Sequence, residues 1–236
     1  MNDDAASNST PPVMITNFVR PEIAPKCFGT DIDGTFLADD PEMYQRNLDA
    51  FAWAIKNGID IFFCTGRGYD DAMRVLPPGL AEKLGFTGYP GVYYNGAAVY
   101  GRNGEVLTEA LFRKDVLKHI MDRILEAKHE RFQDMEGVEF IAKRALNDLT
   151  DLTPMGITKG SGIASVLEHL GRTPDQCAYM GDAANDIEAM HLVRHSFAVA
   201  NATQAVKDAA KYTVHQTNEN AAFRTVMEAL YDVNQN

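Results

Sequence analysis

The chain has 236 residues, 45% hydrophobic and 23% charged, enough to bury one core or a core with a small insertion, and unlike a fibre or a disordered chain. A net charge of −11 argues against nucleic acid, which is held through clustered Lys and Arg. A small phosphorylated metabolite stays compatible, because a bound cation can make one pocket locally positive.

No apolar run is long enough to span a bilayer, and the first residues lack the basic and apolar stretches of a signal peptide. Cys27, Cys64 and Cys177 share no CxxC spacing and fall in apolar runs, as expected of buried reduced thiols in a cytoplasmic protein. The glycosylation triplets at Asn8 and Asn201 then read as chance matches. Nothing in the sequence sets an oligomeric state.

In chain order, residues 1–25 are rich in Asn, Ser, Thr, Asp and Pro without periodicity and predict a flexible lead-in. Cys27 to Thr30 predicts a strand, followed by an acidic turn and a helix whose apolar stripe is Leu48, Phe51, Ala52 and Ile55. Ile59 to Cys64 predicts a second strand, Tyr69 to Leu76 a short helix stopped by Pro77 and Pro78, and Val92 to Tyr94 a third strand. From Ala97 the pattern becomes a hairpin around Gly101 to Gly104 and a helix with Leu117, Ile120, Met121, Ile124 and Leu125 on one side. Alternation then resumes with helix Ile163 to Leu170, strand Cys177 to Met180, helix Asp186 to Val193 and strand Phe197 to Ala200. A strand near Tyr212 to Val214 and a final helix through Phe223, Val226, Met227 and Leu230 close the chain.

Repeated strand-helix units predict a doubly wound, parallel, Rossmann-like α/β core with ligands at the carboxyl ends of its strands. The core is expected over 26–96 and 157–236, interrupted by a small α+β cap over 97–156 that serves as a lid.

Four segments fall at those strand ends or at helix starts. The first is Asp31-Ile32-Asp33-Gly34-Thr35, where Gly34 permits a sharp turn and the backbone N–H groups beyond Asp31 can form an anion nest. Thr65-Gly66 offers a hydroxyl and a backbone donor. Gly156-Ile157-Thr158-Lys159-Gly160 places a lysine before a helix in an order unlike a Walker loop. Gly181-Asp182-Ala183-Ala184-Asn185-Asp186 opens a helix with more carboxylates than an N-cap requires.

Taken together these segments resemble the four motifs of the haloacid dehalogenase superfamily of aspartate-nucleophile phosphotransferases. Thr65-Gly66-Arg67, Asn95-Gly96, the position of the inserted cap and Gly156 to Gly160 resemble its Cof-type sugar-phosphatase branch. The resemblance implies that Asp31 attacks phosphorus, while Asp33 protonates the leaving oxygen and later activates water. It further implies Mg2+ on Asp31, the Asp33 carbonyl and Asp182. Ile32, Thr65, Gly66, Lys159 and Asn185 would hold phosphoryl oxygens, and Asp186 would support Lys159 or a metal-bound water. Arg67, Asn95 and Gly96 are candidates to face substrate, with a sheet-edge salt bridge as the alternative for Arg67.

Two carboxylates about 5 Å apart repel by roughly 3 kcal/mol at an effective dielectric near 20, so Lys159 alone would not balance Asp31, Asp33, Asp182 and Asp186. The activity implied is a magnesium-dependent phosphatase of small phosphomonoesters such as sugar phosphates. A phosphomannomutase-like transferase and a non-catalytic binding protein are the alternatives, and a true dehalogenase would need neither Asp33 nor the metal. The cap is shorter than in full-sized relatives, with Glu136 to Asp151 too brief for its usual second half. His191 and His195 lack the Glu of an HExxH zinc pair, and the Tyr93-Tyr94 pair is expected to pack rather than to form a stacking platform.

Overall fold

A computed structural model describes residues 15–125, 140–146 and 149–233. Its elements begin with β1 (Cys27–Thr30), α1 (Pro41–Lys56), β2 (Asp60–Phe63), α2 (Tyr69–Met73), α3 (Leu80–Leu84) and β3 (Gly91–Tyr93). The middle of the chain supplies β4 (Ala98–Tyr100), β5 (Val106–Glu109), α4 (Lys114–Leu125), β6 (Phe140–Leu146) and β7 (Leu149–Pro154). The last part adds α5 (Lys159–Leu170), β8 (Cys177–Gly181), α6 (Ile187–Leu192), β9 (His195–Ala198), α7 (Gln204–Ala209), β10 (Tyr212–Thr213) and α8 (Ala222–Leu230).

Five strands form a parallel sheet in the order β10-β9-β8-β1-β2, with β1 central between Cys177 to Met180 on one side and Asp60 to Phe63 on the other. A parallel bridge from Cys64 to Val92 carries the sheet on to β3. Every residue of β1 and β8 is buried, as expected of strands covered on both faces. Phe28 meets Phe223 of α8 edge-on at 5.6 Å, and Phe36, Phe51 and Phe63 continue that layer. On the opposite face Gly29 leaves room for the rings of Phe62 and Tyr179, where α5 and α6 pack together. This is the α/β, doubly wound core that the alternating pattern predicts.

Several boundaries differ from the sequence reading. β9 begins at His195, two residues before Phe197, and the short helices α3 and α7 have no counterpart in the sequence pattern because neither is long enough for a clear period. Residues 1–14 of the expected lead-in lie outside the described residues. From Ile15 the chain is docked: Ile15 is buried and bridges Val214, and Phe18 packs against Phe197 and Tyr212.

β4 and β5, expected as the start of the cap, extend β3 as an antiparallel sheet in the order β3-β4-β5, and Ala98, Val99, Tyr100 and Leu107 pack into the main core. Beyond them, Val116 and Ile120 of α4 are buried with Phe112 and Leu152 in a small separate cluster, whereas Leu117 from the expected stripe is 47% exposed. Residues 126–139 lie outside the described residues, as do the side chains of Met121, Ile124 and Leu125. The antiparallel hairpin β6-β7 follows, and β6 runs close to the turn Ala184–Asp186.

Candidate active site

The carboxyl ends of β1, β2, β3 and β8 bring the four motif segments together. Asp31 follows β1 and is 5% exposed. Its Oδ1 accepts from Lys159 Nζ at 2.9 Å and from the N–H of Ile32 at 2.8 Å. Lys159 is wholly buried and is set at the first turn of α5 by a reciprocal cap, with Thr158 Oγ1 accepting from Ser161 N and Ser161 Oγ from Thr158 N. The ammonium and the positive end of this helix thus converge on the same space.

Lys159 Nζ also donates to Asp186 Oδ1 at 2.6 Å. Asp186 is saturated: Tyr179 donates to Oδ1 at 2.6 Å, and the N–H groups of Asp182 and Ala183 each donate to Oδ2 at 2.9 Å. Asp182 receives the Thr35 hydroxyl on Oδ1 at 2.9 Å. Gly34 passes beneath that carboxylate with φ +70°, and a Cβ there would lie 2.6 Å from Asp182 Oδ2. Any side chain would therefore push the first and fourth segments apart.

One carboxylate oxygen from each of Asp31, Asp182 and Asp186 lies within 4.8 Å of the other two. Burial, with Asp186 and Asp182 adding to it, raises Asp31 well above the ordinary carboxylate range despite the opposing pull of Lys159. Burial first, then Asp186, push Asp182 up to about 6. Burial alone would lower the Lys159 ammonium, but Asp186 and Asp31 hold it above its ordinary value. Three clustered carboxylates against one lysine leave net negative charge in a poorly solvated place, and hard oxygen donors suit a divalent cation. Since Asp186 is committed to its four donors, Asp31 and Asp182 are the side chains that would face the metal.

Asp33 does not join that cluster. Its side chain is 53% exposed and both its oxygens accept from Arg67, at 2.8 Å from Nε and 2.6 Å from Nη2. The expected cluster of four carboxylates is therefore three, with the fourth tied to a guanidinium at the rim.

Thr65 is buried, and its hydroxyl accepts from Arg67 N at 3.1 Å, leaving its own O–H to donate inward. Gly66 is half-buried beside it. Asn95 Nα donates to Thr65 O at 3.0 Å, and Asn95 Oδ1 accepts from Asn185 Nδ2 at 2.9 Å. Asn185 Oδ1 is buried with no protein partner among the described residues. Gly96, at φ +101°, lies against the backbone of Thr158 and so ties the third strand's end to the lysine segment.

Thr35, Tyr179 and Asn201 also shape the site and were not singled out from the sequence. Thr35 stands inside the first motif, where its position was a usable signal. Tyr179 lies in an apolar strand and carries none. Asn201, set aside as a chance triplet, donates to Gly34 O at 2.8 Å and fixes the first turn. The Tyr93-Tyr94 pair divides: Tyr93 is fully buried and packs as expected, but Tyr94 is 57% exposed. His195 is buried in β9 and His191 is exposed; neither belongs to the acidic cluster.

A parallel α/β core with an acidic, lysine-bearing site at its carboxyl edge defines a class of enzymes. The family model described as haloacid dehalogenase-like hydrolase matches residues 28–134 and 124–226, and the chain belongs to that family. Among its relatives, 5-amino-6-(5-phospho-D-ribitylamino)uracil phosphatase YcsE of Bacillus subtilis is 23% identical over 248 residues, covering 88% of this chain and 96% of that protein. The chloroplastic endoribonuclease YBEY of Arabidopsis thaliana is 25% identical over 245 residues, but the match spans 75% of this chain and only 42% of that longer protein. A HAD/COF-like hydrolase from Plasmodium vivax superposes with a TM-score of 0.80 at 23% identity, covering 89% of this chain and 97% of that one, which shows the shared fold.

Proposed function

We propose that this protein is a magnesium-dependent phosphatase of small phosphomonoesters that works through an aspartyl-phosphate on Asp31. The observation that carries the reading is the buried Asp31 carboxylate, held 2.9 Å from Lys159 Nζ beside Asp182 and Asp186. The phosphatase name of the Bacillus relative fits that chemistry.

When bound, the cation neutralises the acidic cluster and the phosphoryl oxygens together. Asp31 uses its carboxylate oxygen to attack phosphorus, forming an O–P bond as the bond to the leaving oxygen breaks. Lys159, the Thr65 hydroxyl and the N–H of Gly66 hold the equatorial oxygens, with Asn185 completing the cradle; the Ile32 N–H, which donates to Asp31 Oδ1 at 2.8 Å before substrate binds, joins them once Asp31 moves onto phosphorus. Asp33 first takes up a proton from solvent, for which at least one of its two bonds to Arg67 has to give way, and then passes that proton to the leaving oxygen. A water then attacks the phosphorus, passing a proton back to Asp33 and freeing phosphate and Asp31.

The inserted α4 and the β6-β7 hairpin serve as a lid over this edge, a role suited by the approach of β6 to the Ala184–Asp186 turn. Three buried free thiols suit a reducing, cytoplasmic setting. The presence of both Asp31 and Asp33 speaks against the non-catalytic alternative; a phosphomannomutase-like transferase would use both as well, and against it stand the phosphatase names of the relatives.

A panel of phosphomonoesters assayed with Mg2+ tests the reading. Asp31→Asn should lower turnover by at least about a thousandfold with the fold intact by circular dichroism. Equal phosphate release by the wild type and the variant, or full turnover in excess chelator, would overturn it.

A further inference from the structure

We propose that Tyr94 selects the leaving group, offering its ring face to substrates whose leaving group carries a planar aromatic ring; this rests on the phosphatase reading above. Tyr94 is the one exposed aromatic side chain among the described residues, although its neighbour Tyr93 is wholly buried. Exposure alone would mean little, since single apolar side chains are common on surfaces.

Three further observations set Tyr94 apart. Its φ is +50°, a conformation that bulky L-residues seldom adopt, and Asn95 follows at +56°. That backbone is pinned to the phosphate-binding loop: Tyr94 N donates to Arg67 O and Asn95 N to Thr65 O, both at 3.0 Å. The ring lies over Gly68, where any Cβ would collide with the Tyr94 hydroxyl and Cζ. The chain therefore spends a left-handed tyrosine and a bare glycine on holding one ring in the open.

The place it holds is next to the chemistry. Arg67, whose carbonyl anchors Tyr94, carries Asp33 on its guanidinium, so the turn that holds the ring and the turn that holds the proton donor are both tied to Arg67. On this assignment a leaving group that departs toward Asp33 would meet this ring. An aromatic ring has the flat π-face that stacks on Tyr94 in an offset or edge-on arrangement, whereas an acyclic polyol does not.

The test compares p-nitrophenyl phosphate with glycerol phosphate as the ratio of their kcat/KM values, in Mg2+, for wild type, Tyr94→Phe, Tyr94→Ala and Tyr94→Asn. Asn tolerates the left-handed backbone and so removes the ring without releasing the loop. The ratio should be kept in Tyr94→Phe and fall about five- to tenfold in both Tyr94→Ala and Tyr94→Asn, mainly through KM. An unchanged ratio in Tyr94→Asn would overturn the assignment, as would loss in Tyr94→Phe equal to that in Tyr94→Ala. If the wild type hydrolyses neither ester, the phosphatase reading itself fails, which is a separable result.

Discussion

At the scale of single residues, Lys159 sets the electrostatics of the site. It is wholly buried and stands between Asp31 and Asp186 at 2.9 Å and 2.6 Å. A buried ion pair contributes little net stability, but removing one partner leaves uncompensated charge behind. Lys159→Met should therefore destabilise the metal-free protein by about 3–5 kcal/mol, read as a lower urea midpoint, and abolish turnover. Adding Asp186→Asn removes part of the stranded charge, so the double variant should lose less than the sum of the two single changes. An unmoved midpoint in Lys159→Met would show that the lysine is not what balances these carboxylates. Lys159 and the aspartates are legible in sequence because each motif is a short local string. Tyr179 is not, since in an apolar strand nothing in the local string marks its hydroxyl as the donor to Asp186.

At the scale of elements, the turn that carries Asp31 and Asp33 is held from outside the motif. Asn47 of α1 is wholly buried; its amide donates to Phe36 O at 2.8 Å and its carbonyl accepts from Arg224 N, at the start of α8, at 3.1 Å. One side chain thus joins the turn after β1 to two helices. Asn47→Ala strands both backbone groups and should cost about 2–3 kcal/mol, measured by denaturant unfolding. Asn47→Asp should also destabilise, because it keeps the acceptor for Arg224 but loses the donor to Phe36. A change within 0.5 kcal/mol for either, as is usual at a surface position, would show that the link is not structural. The helix itself follows from the sequence, with Asp40 as N-cap accepting from the N–H groups of Glu42 and Met43. Its buried face does not: Asn47, Ala50 and Ala54 turn inward with Leu48 and Phe51, while Ala52 and Ile55 are half-buried. Periodicity weighs apolar side chains and passes over an asparagine whose partners lie more than ten residues away.

At the scale of the whole molecule, stability, pH and metal are linked. Asp31 and Asp182 have folded pKa values raised above those of an open chain, the latter to about 6. Groups shifted upward favour the folded state most when protonated, so their contribution is complete below the unfolded value near 4 and is lost as pH rises through about 6. The metal-free protein should then lose on the order of 5 °C in Tm between pH 5 and pH 7.5 from this cluster. Mg2+ should reverse the loss, and its stabilising effect should be larger at pH 7.5 than at pH 5, because protons compete for Asp31 and Asp182. Thermal melts with and without Mg2+ at the two pH values check this, and Asp182→Asn should flatten the difference. A Mg2+ effect of equal size at both pH values would count against these aspartates as the ligands.

By itself, the sequence determined the alternating α/β order, the parallel core and the four motif segments at the strand ends, because strand runs, helix periods and short motifs are all local in the chain. Tertiary structure alone decided which carboxylates meet. It gathered Asp31, Asp182 and Asp186 around Lys159 and drew Asp33 aside to Arg67, since the positions of charged groups depend on strand order and on who else must be satisfied. It also assigned β4 and β5 to the core layer, docked the segment from Ile15, and turned Tyr93 inward and Tyr94 outward. Those outcomes rest on contacts between residues far apart in the chain, whose free energy no local pattern carries.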